Sequence, residues 1–462
     1  MTHFELNKRS AGWDRLLSVA SALTLILIPI AASAGIDGWN QAGNTTPSFN
    51  LTAREGYISI ADGGSIYSWG YSPGTGQNEM QLPGPTLIVR QGSTVTVTLR
   101  NQLPAAAGNV SIVFPGHEVT ATDGVTGELT QEAAAGQPVT YTFVAANAGT
   151  YQYHSGTRPD LQVEMGLYGA LIVRPPAGEA GMYGCGGNVR AYEHPETCFD
   201  REHLFLLSEV DLDIHQAVEM QVSGPGPIDI GTGPFHPEYY LLNGRAAPDT
   251  MAAAGTAVMP TQPYNAFPRM HPGERLLLRV VGAGRDLHPY HTHGNHAQVL
   301  ARDGRMLVSE SDPLVLAGPE LFTIPSTPGG TVDAIFEWTG KDLGWDVYGT
   351  IDINDHVCTP DADGYHSVEI DPNYREWCAD HNKPIPVELP GLSSLAFGGF
   401  YGGSPYLGAM GSLPPGEGGL NPNAGFAYMW HSHNAIEQVN NDVFPGGMTT
   451  MLIVEPWGAE IP

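Results

Sequence analysis

Short apolar or alternating runs, broken every few positions by glycine or proline, run along most of this chain. Thr86-Leu87-Ile88-Val89-Arg90 and Thr94-Val95-Thr96-Val97-Thr98-Leu99 are rich in β-branched residues and are parted by Gln91-Gly92-Ser93. Val139 to Val144 alternates in the same way. Runs of this length, bounded by turn formers, predict strands. Leu171-Ile172-Val173 is another, and Pro175-Pro176 behind it ends a unit. Val347 to Ile353 is also strand-like. The 58 glycines and 38 prolines fit many turns rather than long helices. The pattern predicts an all-β chain.

The second half of the pattern repeats the first. Leu82-Pro83-Gly84-Pro85 followed by Gln91 to Val95 is similar to Met270-His271-Pro272-Gly273-Glu274-Arg275-Leu276. Tyr151-Gln152-Tyr153-His154-Ser155-Gly156, then Gly169 to Val173, is similar to Tyr428-Met429-Trp430-His431-Ser432-His433, then Thr450 to Val454. Duplication of a β unit accounts for this. The predicted organisation is a first domain over 45–176, a linker over 177–201 and a second domain over 202–460. An insertion at about 356–425 interrupts the second domain and ends in a Gly/Pro-rich tract from Gly391 to Gly425. Loops of that length are functional lids or disordered segments.

Residues 1–34 read as an export signal. Lys8, Arg9 and Arg15 precede the apolar stretch Leu16 to Ile30, and Ala32-Ser33-Ala34 offers a small-residue cleavage site. A retained membrane anchor is the rival reading. Cleavage predicts a periplasmic or secreted protein with no stable membrane insertion. The formal net charge of -28, with three lysines in the chain, argues against nucleic acid and anionic lipid as partners. Export permits disulfides. Cys185 with Cys198, and Cys358 with Cys378, are the predicted local bridges. Each closes a short loop, stabilising by about 3 kcal/mol on the chain-entropy model. The other pairings stay open, as does metal ligation by cysteine, although no Cys-x-x-Cys is present.

Two His-x-His pairs carry the candidate chemistry: His291/His293 in His288-Pro289-Tyr290-His291-Thr292-His293-Gly294, and His431/His433 in Met429-Trp430-His431-Ser432-His433. On a strand, residues two apart share a face, so paired strands would bring four imidazoles together. Imidazole suits copper and zinc, with copper(II) highest in the affinity order. None of the four cysteines lies beside these histidines, so the thiolate of a blue copper centre is missing. A hydrogen-bonded core without metal is the bland alternative.

These segments resemble the multicopper oxidases and their two-domain relatives, the small laccases and copper nitrite reductases. Leu82 to Gly92 is similar to the family's opening motif, Gly149 to Ser155 and Gly166 to Val173 to the end of its first domain, and His288 to Gly294 to its His-Pro-x-His-x-His-Gly motif. The resemblance implies two cupredoxin-like Greek-key β-sandwich domains and a copper cofactor. It implies metal ligands at His291, His293, His431, His433 and His154, with His288 a remnant of the blue site. The departures are as informative. Val113-Phe114-Pro115-Gly116 stands where the family has His-x-His-Gly, and Gly156 where it has a second histidine. Ser432 replaces the blue-site cysteine, and Glu437 its second histidine; Met448 is in the neighbourhood of the axial position only. Glu437 then reads either as a partner of His288 around a harder ion or, preferably, as an exposed or hydrogen-bonded carboxylate. His296 reads as an extra ligand, an orienting group or a surface residue, and His117 as structural.

The expected function is that of an exported copper-dependent oxidoreductase with a non-blue histidine site, acting on a small-molecule substrate and not an ordinary laccase. A non-enzymatic envelope copper-binding protein and a metal-free cupredoxin scaffold are the alternatives. Two-domain relatives imply a homotrimer, in which His154 would act across subunits.

Overall fold

The computed structural model describes residues 35–76, 78–176, 185, 189–349, 356–384, 407, 423 and 425–461. The predicted signal segment, most of 177–188 and nearly all of the Gly391 to Gly425 tract lie outside them.

Two pairs of sheets carry the chain. In the first half, a five-stranded sheet is ordered Ser65–Pro73, Ser48–Ser59, Thr94–Asn101, Pro138–Val144, Val119–Thr122. A four-stranded sheet holds Trp39–Asn40, Leu87–Arg90, Tyr168–Arg174 and Gly149–His154. Thr94–Asn101 buries every second residue, which is why its alternating sequence makes a strand with one face on a core. Val89, Val97, Val139, Tyr153 and Leu171 meet in that core.

The second half repeats the plan. Leu87–Arg90 runs parallel to Tyr168–Arg174, which pairs antiparallel with Gly149–His154. Likewise Arg269–Met270 runs parallel to Thr449–Val454, which pairs antiparallel with Phe426–Ser432. Arg275–Gly282 and Thr331–Glu337 are central strands of the larger, seven-stranded sheet. Phe205, Leu278, Tyr290, Phe336, Trp430 and Leu452 fill the second core.

A third apolar cluster joins Ile88, Tyr168 and Ile172 of the first half to Leu204, Leu206, Leu241 and Val281 of the second. Beside it lies a buried polar knot. Arg279 donates to Glu202 Oε2 at 2.9 Å and to Thr150 Oγ1 at 3.0 Å, and Thr150 donates to Asp333 Oδ1 at 2.6 Å. Arg174 also pairs with Glu202. Arg279, Glu202 and Asp333 are all buried, so each charge depends on its partners.

Two expectations change. Leu212–Val222 is an α-helix, capped by Asp211, whose side chain accepts from Ile214 N at 3.2 Å. Ile214 and Val218, four residues apart, pack into the first-half core although the helix follows the linker in sequence. The Asp cap and that spacing are the signal the glycine and proline count obscured. Val347 to Ile353 is not a strand where it is described: Val347 and Tyr348 are apolar anchors of a turn, buried in the second core. Residues 350–355 lie outside the described residues. Both predicted disulfides, Cys185–Cys198 and Cys358–Cys378, are formed.

Candidate metal centre

The strands His288–Thr292 and Phe426–Ser432 pair antiparallel, with His291 directly opposite His431. Side chains in such a register stand on one face, and His293, two residues on, joins them. Ligand atoms of His291, His293 and His431 all lie within 4.8 Å of one another. Nε2 of His431 faces Nε2 of His293 at 3.3 Å. His433 is exposed at the mouth, its ring 4.7 Å from that of His291 and 5.7 Å from that of His431.

Neighbouring groups orient the rings. His431 Nδ1 lies 2.6 Å from the carbonyl of Ser432. A carbonyl only accepts, so the proton of neutral His431 sits on Nδ1 and its Nε2 lone pair faces the cluster. Thr323 Oγ1 holds Nδ1 of His291 at 2.8 Å. Burial, then the neighbouring imidazoles of His431 and His433, push His293 down to about 4. Burial is also the main cause that lowers His431. Near neutral pH these rings are therefore uncharged donors, the state a metal needs.

The surroundings of His288, which the resemblance assigns to a blue site, are built differently. His288 is fully buried, with Nδ1 3.0 Å from Glu437 Oε2 and Nε2 2.8 Å from Glu209 Oε2. Burial opposes its charge, but its hydrogen bonds to Glu209 and Glu437 prevail and raise it to about 9. Ser432 Oγ donates to the same Glu437 oxygen, and Asn434 Nδ2 holds the other at 2.8 Å. His288, implied as a metal ligand by the resemblance, instead has both nitrogens engaged by carboxylates. Glu437 is hydrogen-bonded but buried, not exposed. Sequence reasoning missed Glu209. Its signal was a lone carboxylate at the end of the apolar run Leu204-Phe205-Leu206-Leu207-Ser208, where a buried charge needs a partner. The Met448 side chain is part of the apolar core.

His154 stands apart from the four-histidine cluster. It ends Gly149–His154 in the first half, with Nδ1 2.9 Å from the carbonyl of Ser155. Phe114, in the segment replacing the family's histidines, packs against Phe143 and Tyr153. His117 lies edge-on to Phe143 and Tyr151. His296 is an exposed residue against Phe322.

A multicopper oxidase family model matches residues 71–178. Over that segment the chain is similar to the multicopper oxidase family. It is 39% identical over 155 residues to a multicopper oxidase of Talaromyces pinophilus, covering 33% of this chain and 23% of that one. It is 33% identical over 190 residues to copper resistance protein A of Escherichia coli, covering 41% of this chain and 25% of that one. The chain thus spans about a quarter of the length of these relatives. In fold it is similar to the blue copper oxidase of Nitrosomonas europaea, with a TM-score of 0.50 and 19% identity over 88% of this chain and 85% of that one. The multicopper oxidase mgLAC gives a TM-score of 0.51 and 19% identity over 90% and 88%. The likeness to copper oxidases implies copper, and the donor set fits it: converging imidazoles, oriented by a carbonyl and a hydroxyl.

Proposed function

We propose that this protein is an exported copper oxidoreductase whose copper is held by His291, His293 and His431, with His433 at the mouth, and which has no blue copper centre. The observation that carries the reading is the contrast between the open imidazole cluster and the carboxylate-locked His288. Copper bound there would supply a redox centre or Lewis acid for a small substrate. The chain's own contribution is to orient His431 and His291 through Ser432 O and Thr323 and, by burial, to keep His293 and His431 neutral. Glu209, Glu437 and Ser432 fill the position of the electron-accepting thiolate site with hydrogen-bonded protons. Bulky phenols then lack an entry for single electrons, so ordinary laccase activity is not expected. Export is supported by two disulfides. Among the described residues no helix is long and apolar enough to cross a membrane.

A second reading is copper holding without turnover. The similarity to a copper resistance protein and the exposed His433 favour it. In either case we propose a homotrimer in which His154 serves a neighbouring copy. Metal analysis with copper EPR and visible spectra on the mature protein tests the site. Stoichiometric non-blue copper, lost in the His291→Ala/His431→Ala variant, is expected. No copper after loading would leave only a scaffold, and an intense blue band would overturn the reading of Ser432. Turnover of small redox substrates by the loaded protein separates the enzyme from the holder.

A further inference from the structure

A second group of donors joins Asp346 of the second half to three residues of the insertion. Ligand atoms of Asp346, His356, Glu376 and His381 are all within 4.8 Å of one another. Asp346 sits between the core anchors Trp345 and Val347. His356 and Glu376 each stand two residues before a half of the Cys358–Cys378 bridge, which holds them side by side. Asp346 and Glu376 are each 2% exposed. Among the described residues neither carboxylate has a lysine or arginine partner; their ion-pair partners are the two imidazoles.

The distances point to a common centre. His356 Nε2 is 3.3 Å from Asp346 Oδ2 and 3.1 Å from Glu376 Oε2. His381 Nδ1 is 3.3 Å from Asp346 Oδ2 and 2.8 Å from Glu376 Oε1. A ring nitrogen has one in-plane lobe, yet each nitrogen here faces two carboxylates. Donors about 2.0–2.1 Å from a tetrahedral zinc stand about 3.3 Å from one another, close to these separations. Outer bonds fix the carboxylates: Asn373 Nδ2 donates to Glu376 Oε2 at 2.6 Å, and the amides of Tyr348 and Asn382 donate to Asp346 at 2.9 and 2.8 Å. Such support is characteristic of metal ligands.

We propose that Asp346, His356, Glu376 and His381 bind a divalent transition metal, zinc, which clamps the insertion to the second sandwich. Four protein ligands around a buried centre make it a structural site rather than a catalytic one. The nitrogen and carboxylate donors and tetrahedral spacing favour zinc over copper(II), which prefers tetragonal geometry.

The test uses the full chain carrying His291→Ala/His431→Ala, stripped with chelator, so that the imidazole cluster of the copper site is disrupted. Zinc titration by calorimetry should find one zinc per chain, and zinc should raise the Tm. Cobalt(II) should give the visible spectrum of tetrahedral nitrogen and oxygen ligation. Adding Glu376→Gln should abolish all three. Failure of that background to take up zinc, or cobalt with an octahedral spectrum, overturns the site whether or not the Glu376 variant folds. A zinc-induced Tm rise that survives Glu376→Gln overturns it as well.

Discussion

The two halves solve one geometric problem with different chemistry. In the first, Val113 and His154 face each other across an antiparallel bridge; in the second, His291 and His431 do. In both, the histidine Nδ1 meets the carbonyl of the serine after it. In both, a positive-φ glycine, Gly116 or Gly294, lies against the ring of an equivalent tyrosine, Tyr151 or Tyr428, in a backbone conformation that side chains rarely adopt. The two halves thus share backbone and ring orientation, while Val113, Pro115 and Gly156 stand where the resemblance implies the first half's other ligands. The family model matches this ligand-poor half, whereas the imidazoles converge in the other. Strand packing identifies the fold, and a handful of side chains decides whether it holds metal. The two can be lost separately.

The sharpest way to break this comparison is to remove ligands from each half. His291→Ala/His431→Ala should eliminate EPR-detectable copper. His154→Ala should leave copper bound but alter its signal, if the residue serves a neighbouring copy. Equal and complete loss in both variants would mean that the halves are not chemically distinct.

The joint between the halves comes next. Arg279→Ala leaves Asp333 in the interior without its cationic partner and Glu202 with Arg174 alone, and removing one partner of a buried pair costs about 3–5 kcal/mol. Urea unfolding should report that loss, and a change below about 1 kcal/mol, the level of an exposed pair, would show that the halves do not depend on the knot.

A smaller effect sharpens the role of orientation. Thr323→Val removes the hydroxyl that holds His291 Nδ1. Loss of such support lowers metal affinity about 10–100-fold. Competition against a copper chelator measures it, and unchanged affinity would mean His291 is positioned by packing alone.

The smallest expected effect is pH-dependent. His288 is raised to about 9 from its ordinary value by Glu209 and Glu437. Its charged form is favoured by the fold, so the stabilisation is full below about 6.5, the unfolded value, and is lost as pH rises through 9. The Tm should fall between pH 7 and 9.5, and His288→Gln should flatten that decline. An equal decline in the variant would place the titrating group elsewhere.

Much of this molecule is legible in residue order alone. Period-two runs with branched residues become strands because one face must be buried. The paired His-x-His segments announce a shared face, and the close cysteine pairs become two bridges. Less is legible where a single position follows something other than its usual habit. Glu437 is buried, against the ordinary preference of carboxylates, because His288, Ser432 and Asn434 satisfy it. Leu212–Val222 is hidden by composition, since 58 glycines describe the chain as a whole and not one capped segment.

Residue order alone carries the all-β class, the internal duplication, the imidazole face and the serine between His431 and His433, because each is written in residue type and local spacing. Only the tertiary structure decided that Glu209 meets His288, that Arg279 spans the two halves through Thr150, and that Asp346 joins His356, Glu376 and His381. Those partners are brought together by sheet packing and by a disulfide across a long insertion. No period along the chain encodes such meetings. They arise because buried charges far apart in sequence must find one another once water is excluded.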